Sequence, residues 1–347
     1  MRLAQFIVGE QYGGAERFFV KLSIALHEVG LKQKIFIQTN KDRSDELRAS
    51  GIDVVEFDFN GHIRDLISRY KLQKEINIFN PDLVMAWMNR AARRMPYGDF
   101  VKVARLGGFY PSRFYKRCDH LVSNTPAIKD FLVEDGWPEC RVETISNFGE
   151  LPDAPPVVRE SLGISEDAFL FICLGRLHPS KGFDLAIEAI RNVKNAHLII
   201  AGSGEEDEIL KGLVIKYSLE NRVSFLGWRN DQIALLKTAD VCLVTSRHEP
   251  LSNVVLEAWS VGCPVISTDS EGPSWLIQNG IDGLMVKRDD VEALTAAMQQ
   301  LMDNEMLRKS LSERALIKWA NSYSKDVIVE KYITYFKKLI NLQSSSH

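Results

Sequence analysis

Residues 169–184 read Phe169-Leu170-Phe171-Ile172-Cys173-Leu174-Gly175-Arg176-Leu177-His178-Pro179-Ser180-Lys181-Gly182-Phe183-Asp184. Six apolar residues in a row, then a glycine-bounded loop, then a helical pattern from Asp184 describe a buried strand that turns into a helix. The carboxyl edge of an open α/β sheet, where such a turn lies, is where these folds bind ligands. Gly175 and Gly182 let backbone approach a ligand closely, and Arg176 and Lys181 bring two positive charges to that edge. A diphosphate suits this loop, because arginine offers a bidentate fork and lysine a compact charge. A solvated loop with incidental basic residues is the competing reading.

The same alternation runs outward in both directions. Downstream, strands are expected over residues 198–201, 223–226, 241–245, 264–267 and 284–286, with helices over 184–193, 206–218, 233–237 and 252–261. Upstream, strands are expected over 3–8, 34–39, 54–59, 83–87, 101–106 and 120–124, with a first helix over 14–29. Alternating strands and helices imply parallel sheets covered on both faces. Between the halves, Glu150-Leu151-Pro152-Asp153-Ala154-Pro155-Pro156 places three prolines in five residues, which denies helix and central strand and reads as a linker. The expected fold class is therefore α/β, two doubly wound Rossmann-like domains over residues 1–150 and 151–325. A last helix over 325–342 carries enough apolar residues to dock, and the segment 326–347 is expected to pack back on the first domain, with 344–347 as a frayed tail.

Bulk properties exclude several classes. At 347 residues the chain suffices for two domains, and 45% apolar with 26% charged residues is the composition of a soluble globular protein. The formal charge of -3 implies no polyelectrolyte partner. Cys118, Cys140, Cys173, Cys242 and Cys263 are scattered, form no CxxC pair and fit a reducing cytoplasm. No run approaches the roughly 20 apolar residues of a membrane span. The short apolar start reads as a first strand rather than a signal peptide.

The second chemical stretch is Thr245-Ser246-Arg247-His248-Glu249-Pro250-Leu251-Ser252-Asn253-Val254-Val255-Leu256-Glu257-Ala258. A strand ends, a proline-containing turn follows, and a helix begins near Ser252, whose free N–H groups and positive dipole end form an anion site. Glu249 precedes that helix and Glu257 lies about two turns inside it, so each carboxylate can accept a pair of sugar hydroxyls. Helix capping by Ser252 or Asn253 explains part of this pattern, but not a carboxylate placed before an anion-binding turn. His178 and His248 lie in these loops, where binding a phosphate and merely filling the loop are both open. Gly202-Ser203-Gly204 is a poor dinucleotide fingerprint, since it lacks a third glycine and precedes Glu205 and Glu206.

Glu249 and Glu257, seven residues apart, resemble the E-x7-E signature of the retaining family-4 glycosyltransferases with the two-domain GT-B fold. Gly13-Gly14-Ala15-Glu16 is similar to that family's amino-terminal glycine loop, and Gly175–Gly182 to its GR…KG loop. Ala201-Gly202-Ser203-Gly204, Phe225-Leu226-Gly227-Trp228 and Glu271-Gly272-Pro273 are similar to its later segments, in order. The resemblance implies two domains facing each other across a cleft that closes and excludes water. It implies that Arg176 and Lys181 hold the donor diphosphate, that Glu249 binds hydroxyls of the transferred sugar beside Leu251, Ser252 and Asn253, and that Glu257 binds the ribose. Gly202 and Arg229 would border the base, and Gly14 would lie over the diphosphate. It further implies a nucleotide-diphosphate sugar as donor substrate, no other cofactor and no metal, since no DxD motif is present. Many relatives carry a histidine where the strand over 101–106 ends, whereas here Arg105-Leu106-Gly107-Gly108 stands. Arg105 and Asp99 are weak candidates for that role, and His120 reads as structural.

Between Asn89 and Cys118, Arg90, Arg93, Arg94, Lys102, Arg105, Arg113, Lys116 and Arg117 face only Asp99 on the acidic side, with six aromatic residues interleaved. A solvated loop over core aromatics, an acceptor site for an anionic glycolipid at a membrane surface, and nucleic-acid binding are the three readings. Overall acidity disfavours the last. Trp87-Met88-Asn89-Arg90-Ala91-Ala92-Arg93-Arg94-Met95-Pro96 also resembles a segment of bacterial lipopolysaccharide-core glycosyltransferases, which supports the second. The expected function is sugar transfer to a glycolipid or polysaccharide in lipopolysaccharide core or other cell-envelope synthesis, in the cytoplasm or peripherally on the inner membrane's cytoplasmic face. A sugar-nucleotide epimerase of the same fold, or a catalytically silent sugar-nucleotide-binding protein, is the alternative.

Overall fold

A computed structural model describes residues 1–9, 13–59, 62–149 and 154–345. In chain order the first half holds β1 (Arg2–Ile7), α1 (Gly14–Glu28), β2 (Lys32–Gln38), α2 (Lys41–Ala49), β3 (Asp53–Phe57), α3 (His62–Phe79), β4 (Leu83–Trp87), α4 (Met88–Ala92), β5 (Val101–Leu106), β6 (His120–Ser123), α5 (Pro126–Glu134) and β7 (Val142–Thr144). The second half holds β8 (Phe169–Leu174), α6 (Phe183–Ile190), β9 (Ala196–Ala201), α7 (Asp207–Lys216), β10 (Val223–Gly227), α8 (Gln232–Thr238), β11 (Val241–Val244), α9 (Asn253–Ser260), β12 (Val265–Thr268), α10 (Glu271–Leu276), β13 (Leu284–Val286), α11 (Val291–Asp303) and α12 (Glu305–Ser322). A final helix, α13 (Lys325–Ser344), follows. The chain divides into two compact units, Met1–Asn147 with Lys325–His347, and Phe148–Ser324. Of the proline-rich segment read as a linker, residues 150–153 lie outside those described, as do 346–347 of the tail. Ser344 is the last residue of α13 rather than part of a frayed end.

Each unit contains one parallel sheet. The first runs β3-β2-β1-β4-β5-β6-β7 and the second β10-β9-β8-β11-β12-β13. Both orders reverse direction once, between β1 and β4 and between β8 and β11, the doubly wound arrangement whose ligand crevice opens at the switch point. Such strands are covered on both faces, which is why they are apolar throughout. Leu170, Ile172 and Leu174 of β8 enter one core layer and Phe171 and Cys173 the opposite one.

The first sheet buries polar groups that satisfy one another. Gln5 Nε2 donates to Gln33 Oε1 (2.7 Å) and Ser23 Oγ (3.2 Å), while Gln5 Oε1 accepts the Trp87 indole N–H (2.9 Å). Helix α13 belongs to this unit: Ile328, Tyr332, Tyr335, Phe336 and Leu339 recur at helical spacing and are buried. The Lys325 ammonium pairs with Glu28 of α1 at 2.9 Å.

Gln5→Leu keeps the volume but strands the Trp87 N–H and the Gln33 amide in the interior, at about 1–3 kcal/mol per orphaned group. A clear fall in the urea midpoint is expected, and an unchanged midpoint would show that the network does not sustain this unit.

Candidate functional site

The strand pair at the second sheet's switch point, β8 and β11, sends out the two loops that carry the expected donor residues. These loops are fastened backbone to backbone. Arg247 N donates to Ser180 O at 2.8 Å, and the Thr245 hydroxyl donates to Lys181 O at 3.0 Å. Gly182 sits between them at φ +61, where any side chain would collide with the Thr245 carbonyl. At Gly202, after β9, a Cβ would strike the Gly175 carbonyl. The sequence suggested that Gly175 and Gly182 leave room for a ligand; what glycine secures at Gly182 and Gly202 is loop-on-loop contact.

Arg247 is the clamp of this assembly. Its two terminal nitrogens grip Asp184 of α6 at 2.9 and 2.7 Å, Nε donates to Asp289 at 2.6 Å, and Nη1 also reaches Pro179 O at 3.2 Å. The hydrogen bonds to Asp184 outweigh burial and hold the guanidinium well above the ordinary arginine pKa. The sequence reading assigned it no role, although an arginine directly after a buried strand, with carboxylates at the start of α6, was a usable signal.

With the loops fastened, Lys181 and Glu249 meet. The Lys181 ammonium donates to Glu249 Oε2, and both side chains are largely sheltered, 23% and 14% exposed. Ser246 Oγ donates to the same carboxylate oxygen at 3.3 Å, and the Glu249 N–H donates to Glu271 Oε2 at 3.1 Å. Burial pushes the Glu271 carboxyl up, but backbone N–H groups, including that of Glu249, and the His248 imidazole hold it below the ordinary glutamate range. His248 lies 3.2 Å from Glu271, and His178 accepts from the Ser180 N–H to cap its own turn, so both histidines shape the loops. Arg176 is exposed beside them and makes no ion pair among the described residues.

Ser252, 3% exposed, precedes α9 at φ +77, a left-handed conformation unusual for a residue with a side chain. Its hydroxyl accepts from Val255 N at 3.4 Å, while the first N–H groups of α9 lack partners within the helix. Leu251 is buried, Asn253 opens the helix, and Glu257 sits inside it at 9% exposure. Of the remaining expected donor residues, Arg229 is already held bidentately by Asp231, at 2.8 and 2.5 Å. Gly14 opens α1 in the first unit; the preceding residues 10–12 lie outside those described.

The basic segment divides into three kinds of residue. Arg90, Arg93, Arg113, Lys116 and Arg117 are exposed. Arg93 and Arg113 lie over the Phe114 ring at 5.5 and 5.3 Å, and Arg117 lies over the exposed Tyr97 ring and donates to its hydroxyl at 2.8 Å. Arg94 is committed to Asp65 at 2.6 Å. Arg105 does not belong to this surface: it is 1% exposed, its guanidinium 4.9 Å from the ring centroids of both Phe18 and Trp87. Asp99 precedes β5 and so stands at the amino end of the strand whose carboxyl end carries Arg105. Burial lowers the pKa of His120, consistent with a structural role.

Ser252 carries strain of about 1–3 kcal/mol, which glycine would release and alanine would not. Ser252→Gly should therefore unfold at higher denaturant than Ser252→Ala, which loses the cap and keeps the strain. The opposite order would place that residue in a relaxed conformation.

Residues 12–149 match the family described as Glycosyltransferase Family 4, and residues 156–317 match Glycosyl transferases group 1. The chain is 35% identical over 330 residues to the lipopolysaccharide core biosynthesis glycosyltransferase LpsD of Rhizobium meliloti (strain 1021), covering 94% of this chain and 95% of that protein. It is 36% identical over 337 residues to LpsE of the same organism, covering 96% and 98%. Among solved structures, Anabaena Alr3699/HepE in complex with UDP superposes with a TM-score of 0.85 at 19% identity, covering 97% of this chain and 100% of that one. The apo form of the lipopolysaccharide outer core galactosyltransferase WaaB gives 0.75 at 16% identity, with the same coverage. With two doubly wound sheets and relatives of this identity along nearly its whole length, the chain belongs to the GT-B glycosyltransferases and is similar to those of lipopolysaccharide core biosynthesis.

Proposed function

We propose that the second unit binds a nucleotide-diphosphate sugar at the carboxyl edge of its sheet, and that the sugar, a hexosyl group, passes with retained anomeric configuration and without a metal ion to an acceptor held by the first unit. The observation that carries this reading is the meeting of Lys181 and Glu249 beside the start of α9 at the switch point. In the ligand-free protein the lysine neutralises the glutamate. An entering diphosphate takes the ammonium for itself and releases Glu249 to accept hydroxyls of the sugar. Arg176, exposed and without an ion-pair partner among the described residues, completes the cationic pair. As the bond from anomeric carbon to phosphate oxygen breaks, negative charge grows on the departing nucleotide. Lys181, Arg176 and the N–H groups at Leu251, Ser252 and Asn253 stabilise that charge, work a divalent ion performs elsewhere. Glu257 holds the ribose, and Gly202 and Arg229 border the base.

The HepE complexes with UDP and with UDP-glucose support a sugar-nucleotide donor. The names of LpsD and LpsE support a lipopolysaccharide-core glycolipid as acceptor. Among the described residues no helix is long and apolar enough to cross a membrane. The exposed Arg90, Arg93, Arg113, Lys116 and Arg117 supply the charge for peripheral contact with an anionic cytoplasmic leaflet, on the order of 1 kcal/mol each.

Arg176→Ala and Lys181→Ala are each expected to lower turnover by about 10²–10³. Because Lys181 and Glu249 touch, Lys181→Ala combined with Glu249→Gln should cost less than the two losses summed, with a coupling of about 0.5–3 kcal/mol. Steady-state rates on a lipopolysaccharide-core acceptor, insensitive to EDTA, check both, and strict additivity would separate the two groups during catalysis. Sedimentation with vesicles should show binding to anionic lipid that weakens with salt; equal binding to neutral vesicles would remove the membrane contact.

A further inference from the structure

Glu249 is held at two places by different parts of the chain. Its carboxylate meets the Lys181 ammonium and the Ser246 hydroxyl. Its peptide is held by the first two residues of α10: the N–H donates to Glu271 Oε2 at 3.1 Å, and the carbonyl accepts from Gly272 N at 2.7 Å. A Cβ at Gly272 would strike the Leu251 carbonyl, so the start of α10 presses closer on the 249–251 turn than a side chain would allow.

Glu271 is itself fixed. Its other oxygen, Oε1, lies 3.2 Å from His248 Nδ1 and 3.5 Å from Arg288 Nη1, and the same Arg288 nitrogen donates to the Arg247 carbonyl at 3.2 Å. Arg288 Nε faces Asp269 at 3.5 Å. One carboxylate thus joins the peptide of Glu249 to a cation anchored on the same loop. Glu271 reaches Glu249 through its backbone and leaves the Glu249 carboxylate to other partners.

This second anchorage matters most once a ligand is present. On the donor reading, on which this inference rests, an entering diphosphate takes Lys181 and the Glu249 carboxylate loses its ammonium. Among the described residues its remaining side-chain partner is Ser246 Oγ, at 3.3 Å, a long and weak hydrogen bond. The position of the carboxylate is then set by the peptide that carries it. A backbone N–H held by an ionised carboxylate is one of the stronger hydrogen bonds in a folded chain, and suits that task. We infer that Glu271 is a positioning residue for sugar recognition: it fixes the Glu249 peptide, so that the carboxylate stays aimed at the sugar after the phosphates have claimed Lys181.

The test measures binding to the full chain by calorimetry, for UDP beside UDP-glucose and UDP-galactose, GDP beside GDP-mannose, and ADP beside ADP-glucose. With the pair that the wild type binds, Glu271→Ala is expected to weaken the sugar nucleotide about tenfold and to leave the bare nucleoside diphosphate within about twofold, which also shows the site still folded. Glu271→Gln keeps an oxygen for the Glu249 N–H and should recover most of the loss. Glu249→Gln is the reference, expected to weaken the same sugar nucleotide. If Glu249→Gln weakens it and Glu271→Ala does not, the positioning role is overturned and the donor reading stands. Equal loss of both ligands in Glu271→Ala, or no recovery in Glu271→Gln, also overturns it and makes Glu271 a residue of the loop's fold alone. If Glu249→Gln changes nothing, or no pair binds, the donor reading falls and this inference with it.

Discussion

The second unit's candidate site depends on two loops lying closer than side chains allow. At Gly182 the chain passes against the Thr245 carbonyl, and at Gly202 against that of Gly175. With the loops in this contact Arg247 spans Asp184, Asp289 and Pro179 at once, and Lys181 and Glu249, 68 residues apart in sequence, share a hydrogen bond. The order of causes runs from missing Cβ atoms, to loop contact, to a bridging cation, to the charged pair. Preorganisation of this kind is set by folding: the loops that carry Lys181 and Glu249 are fastened to each other before any ligand arrives.

The first unit solves a similar problem with rings instead of ions. Trp87 gives its indole N–H to Gln5 and its ring face to Arg105. One side chain therefore ties a buried amide network to a buried cation, and α13 brings Tyr332 to the same place. Two cation–π contacts, each worth roughly 0.5–2 kcal/mol, and the hydrogen bond to Asn147 offset much of the several kcal/mol that desolvating a charge costs.

Much of this was legible from residues alone, for reasons that can be named. Strands covered on both faces are unbroken apolar runs, so β4, β5, β8 and β13 could be placed to the residue. The edge strand β7 escaped because Val142-Glu143-Thr144 is short and carries a charge. The loops bearing Lys181 and Glu249 stood out because cations and carboxylates follow buried strands. Their direct contact did not, since pairing across 68 residues has no local signal. Arg105 was grouped with surface arginines because its neighbours in sequence are basic. Its place inside a strand covered on both faces was the overlooked clue.

The contact between Lys181 and Glu249 also bears on selectivity. Any anion approaching that ammonium competes with a carboxylate tethered a bond's length away, present at an effective concentration no small solute can match. Chloride or a lone phosphate offers nothing to the glutamate it would displace. A molecule that joins negative charge to hydroxyl groups compensates both partners at once. On the proposed reading the folded chain carries its own competitor, which screens out simple ions before any contact with the rest of the donor is made.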